Sequence, residues 1–78
     1  MEKDRQFIEL AIVGINYSIT RHQRRIARAA QYLDEILKGK PTKCEKSLVE
    51  LQAIIFKHRD KIKELEELKY ELEMALSE

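Results

Sequence analysis

One short run near the middle of the chain, Lys38-Gly39-Lys40-Pro41-Thr42, interrupts an otherwise continuous helical pattern, and this break constrains the fold more than any other feature. Gly39 can take the left-handed conformation that closes a helix, and Pro41 lacks the N–H that a helix interior needs. Two long helices on either side of one turn follow. Thr42 precedes Glu45 by three residues, the capping-box spacing in which each side chain satisfies a free backbone N–H, so the second helix is expected over about 43–76. Asp4 is a candidate cap for the first, expected over about 5–38, which leaves 39–42 as the turn.

Both arms carry a heptad pattern. In the first, Ile12, Ile19, Ile26 and Leu33 occupy one core position and Ile8, Ile15, His22, Ala29 and Ile36 the other. In the second, Leu48, Ile55, Ile62, Lys69 and Leu76 alternate with Cys44, Leu51, His58, Leu65 and Leu72. Only His22, His58 and Lys69 break the seam. The segment Ile15-Asn16-Tyr17-Ser18-Ile19-Thr20 alternates apolar and polar like a strand, yet the heptad runs through it and no second strand-like run exists to pair with it. The expected fold is all-α: an antiparallel, coiled-coil-like hairpin forming one domain.

A chain of 78 residues buries only roughly 60% of its unfolded surface as a monomer, and two helices share a single seam. Assembly into a homodimeric four-helix bundle or a larger homo-oligomer is therefore expected. The single cysteine excludes an intramolecular disulfide, and no apolar run is long enough for a membrane span. The first residues, interrupted by Glu2, Asp4 and Glu9, do not read as a signal peptide, and a cytoplasmic location is expected.

Charge and apolar stripes point to where partners would attach. Phe7, Leu10, Gly14 and Tyr17, with Val13 beside them, form a second apolar stripe away from the seam. A helix apolar on two faces is normally buried on both, so this stripe is the expected interface for a second copy or for another protein. The net charge of +1 hides a steep gradient: residues 20–63 carry twelve basic and five acidic groups, whereas residues 64–78 carry one and six. Arg21, Arg24, Arg25 and Arg28 lie on the first arm, and Lys57 and Arg59, with Lys61, stand at nearly the same distance from the turn on the second. Such a belt suits phosphates and carboxylates, and nucleic acid is the alternative partner. Against it stand a pI near 7.9, aromatic residues that do not interleave with the arginines, and the lack of a helix-turn-helix, zinc-finger or RNP-type motif.

Three residues invite chemistry. His22 and His58 share one layer of the predicted seam, an arrangement that fits register-fixing polar core positions and is incomplete for zinc, which takes three or four protein ligands. Buried there, they would loosen the core on protonation. Cys44, flanked by Lys43 and Lys46, has a setting that can favour a thiolate, but it also fits the seam as a small core residue. No base is placed beside it, no metal or cofactor signature occurs, and a hairpin has no loops to build a pocket, so a non-enzymatic protein is expected.

Overall fold

The computed structural model describes residues 2–77, and the side chains of residues 4–77. Two helices, α1 over Glu2–Leu37 and α2 over Leu48–Ser77, pack against each other as a hairpin, with no strand among the described residues. The strand-like segment around Tyr17 is helical, and Thr20 there returns its hydroxyl to the Asn16 carbonyl at 3.0 Å.

The end of α1 is built as the Gly39 position requires. Gly39 has φ of 69°, its N–H bonds the Ile36 carbonyl at 3.1 Å, and the Lys40 N–H bonds the Glu35 carbonyl at 2.9 Å. This pair of bonds is the Schellman motif, which satisfies carbonyls that the helix leaves free. At the other end α1 is already helical at Glu2, so Asp4 does not cap it. Its carboxylate stands in the first turn, where the helix dipole favours negative charge.

The start of α2 differs from the expectation. The helix begins at Leu48, five residues beyond 43, and residues 38–47 form a longer connection than the 39–42 turn. Ser47 is the cap: its hydroxyl accepts the Glu50 N–H at 3.2 Å, and its carbonyl accepts the Leu51 N–H at 3.0 Å. Thr42 instead accepts the Cys44 N–H two residues on, at 3.2 Å, a local turn that competes with helix initiation. The sequence holds two capping-box spacings, Thr42 to Glu45 and Ser47 to Glu50, and the helix starts at the second.

Burial follows the heptad register closely. Ile15, Ile19, Ala29, Leu51 and Ile55 are buried, and every other assigned seam position is half-buried except Leu48, at the first residue of α2. Lys69 lies in the seam by its aliphatic stem while its ammonium reaches Glu73 at 3.8 Å. Cys44 packs against the Ala29, Leu51 and Ile55 cluster from the connection rather than from a helix.

The hairpin is a rod of 57 × 16 × 15 Å with a radius of gyration of 17.2 Å. A compact chain of this length would have about 11.5 Å. Its accessible surface of 6498 Å² likewise exceeds the roughly 5,000 Å² of a compact monomer of the same mass.

Candidate functional site

Two surfaces stand apart from the seam, one apolar and one basic. The apolar one runs along α1 on the side facing away from α2. Phe7, Leu10, Val13 and Tyr17 are each about two-thirds exposed. Gly14 lies among them, and a Cβ there would meet nothing within 4 Å, so no neighbour inside the hairpin requires a glycine. The sequence reading missed a second set on α2: Val49, Phe56 and Tyr70 are similarly exposed. They fall in one heptad column, seven and fourteen residues apart, and attention to columns outside the seam would have found them.

The basic surface is a groove between the two helices at mid-length, of about 320 Å³, walled by Arg21 and Arg25 of α1 and by Lys57 and Lys61 of α2. Helical spacing explains the set, since residues four apart share a face. Arg59, two residues beyond Lys57 and so about 200° around the helix, points elsewhere. Neither it nor Arg24 lines the groove. Arg28 lines an adjoining cavity of about 180 Å³ that also includes Arg25, Tyr32, Cys44 and Lys46. The expected belt of six residues is thus divided by the fold, and Lys61 belongs to its convergent part. Among the described residues Arg21, Arg25, Arg28 and Lys57 form no ion pair, while Lys61 reaches Glu64 at 3.6 Å. The Arg21 guanidinium lies 5.9 Å from the centre of the Tyr17 ring, joining the end of the apolar stripe to the groove.

At the floor of the groove His22 and His58 meet in one layer, with their Nδ1 atoms 2.7 Å apart and ring centroids 4.9 Å apart at 44°. One ring must donate its Nδ1 proton to the bare Nδ1 of the other. Burial lowers the proton affinity of His58 below the usual histidine value, and the charges of His22, Arg25 and Lys57 lower it further. A metal held by both Nδ1 atoms would need them farther apart than a direct hydrogen bond allows. Among the described residues no three His, Cys, Asp or Glu side chains converge as a metal set.

No helix among the described residues is long and apolar enough to cross a membrane. Comparison with known protein families, curated proteins and solved structures finds no match for this chain. The class it can be placed in is that of helical hairpins, defined by its fold alone.

Proposed function

We propose that this protein is a non-enzymatic interaction module that works as a homo-oligomer and binds and regulates another protein. The observation that carries this reading is the exposed apolar stripe of Phe7, Leu10, Val13 and Tyr17 on a hairpin whose surface is already in excess. That excess is about 1,500 Å² over a compact monomer. A standard interface covers about 800 Å² of each partner, so one or two such contacts would absorb it. Desolvating these side chains is the main driving force available to a rod with a single seam.

Solution mass by light scattering tests the reading. The wild-type chain should be a defined oligomer that persists at high salt, and Leu10→Glu or Tyr17→Glu should lower its mass. A monomeric wild type would sink self-association, and an unchanged mass in both variants would move the interface off the stripe.

A second reading, binding of nucleic acid or another phosphate ligand, is supported by one feature. Arg21, Arg25, Arg28 and Lys57 are gathered from two helices with no acidic partner among the described residues. The two readings separate by salt, because phosphate contacts weaken steeply as ionic strength rises and apolar contacts do not.

A further inference from the structure

We infer that the groove walled by Arg21, Arg25, Lys57 and Lys61 is a site for a compact phosphate-bearing anion, and that protonation of the His22–His58 pair strengthens its binding. The inference rests on the phosphate reading above and narrows it from a belt to a single site.

Four cationic side chains from two helices share this groove, and among the described residues none that lines it is acidic. All four are exposed, and solvent screens part of the repulsion among them. Arg25 and Lys57 act on His58 from opposite helices, which places both charges within electrostatic reach of one ring. Among the described residues Lys61 is held by one exposed contact, to Glu64, the kind of pair worth little and easily exchanged for a stronger acceptor. An anion seated between the helices would relieve the repulsion and offer oxygen acceptors to both guanidinium groups, whose planar forks match phosphate. Ser18, on the same wall, adds a hydroxyl donor. The volume of about 320 Å³ is at the small end of ligand sites, suited to a phosphate chain rather than to a paired nucleic acid.

The histidines couple the site to pH. With Nδ1 atoms 2.7 Å apart, the intact pair has one proton between the rings, and a second Nδ1 proton would face the first. The pair can therefore gain one charge by protonation at an outer ring nitrogen without losing its hydrogen bond. The titratable groups that share a lining with His58 are His22, Arg21, Arg25, Arg28 and Tyr32 from α1, Cys44 and Lys46 from the connection, and Lys57 and Lys61 on its own helix; among the described residues none is a carboxylate. Without ligand the basic groups among them oppose that charge. With an anion present the opposition is offset, so proton and anion bind cooperatively, each raising the affinity for the other.

Calorimetric titration of the full chain with inorganic tripolyphosphate at low salt tests the site. Saturable binding is expected, weakened about tenfold by Arg25→Gln or by Lys57→Gln, the loss of one charge-assisted contact. Lys40→Gln, in the exposed connection, should leave it unchanged. On the wild-type chain, imidazole NMR signals followed against pH should show the His58 midpoint moving upward when tripolyphosphate is added. Absence of saturable binding, equal weakening by Lys40→Gln, or a stationary His58 midpoint would overturn the inference. A short single-stranded RNA titrated in parallel separates the failures. RNA bound in a salt-sensitive way without tripolyphosphate binding leaves the broader phosphate reading standing and removes this site, and binding of neither removes both.

Discussion

The two ends of the hairpin share one heptad register and differ in how well that register is covered. Near the turn, Ala29, Leu51 and Ile55 are buried, with Ile26, Tyr32, Leu33, Ile36, Cys44 and Ile54 packed around them. Toward the open end Ile15 is still buried, but Ile8, Ile12, Leu65, Leu72 and Leu76 are only half-buried and Phe7, Leu10, Tyr70 and Met74 face solvent, as Leu37 and Val49 do beside the turn. The difference is one of walls. Two helices alone cover each other along a line, and near the turn the connection from residue 38 to 47 lays Cys44 over that line. Among the described residues the open end has no such cover, and it carries the stripe proposed to meet another chain.

The largest expected effect tests this contrast directly. Leu51→Ala removes the most buried side chain, 1% exposed, and should cost about 3 kcal/mol in urea unfolding. Leu72→Ala, at a half-buried position, should cost about 1 kcal/mol. Equal losses would mean that the open end is as well covered in solution as the turn end. The α2 start is sharpened by two cap variants. Ser47→Ala should cost about 1 kcal/mol. Thr42→Ala should cost under about 0.5 kcal/mol, and the reverse order would place the helix start at residue 43 after all.

The smallest effect is the acid response of the histidine layer. Because the fold lowers the proton affinity of His58, the unfolded chain binds its proton more readily. The stability held by neutral His58 is fully present above its unfolded value near 6.5 and is lost progressively as pH falls from there to its folded value. Thermal midpoints should therefore decline below about pH 6.5, and this component should vanish in His58→Leu. A wild-type midpoint as flat as that of the variant across this window would show that the layer does not respond to acid.

The seam was legible because side-chain periodicity encodes which side of a helix is apolar, and all but Leu48 of its assigned positions are at least half-buried. The pairing of His22 with His58 was legible for the same reason, since equal distances from the turn put them in one layer. The start of α2 was misread because Thr42 and Ser47 offer the same spacing, and Thr42 uses its hydroxyl to accept the Cys44 N–H in a local turn instead of opening the helix. The basic belt divides in the fold, with Arg21, Arg25, Lys57 and Lys61 lining one groove and Arg24 and Arg59 outside it. Proximity in height placed Arg59 with Lys57, but angular position around the helix decides which charges converge.

The amino-acid sequence by itself determined that the chain is two amphipathic helices, where the first ends, and which residues form the seam, because caps and heptad spacing act within a few residues. Only the tertiary structure decided the length of the connection, the 2.7 Å contact between His22 and His58, and the gathering of Arg21, Arg25, Lys57 and Lys61 into one groove. Those features depend on the register and rotation of one helix against the other. They are set by how side chains far apart in sequence fill the space between two backbones.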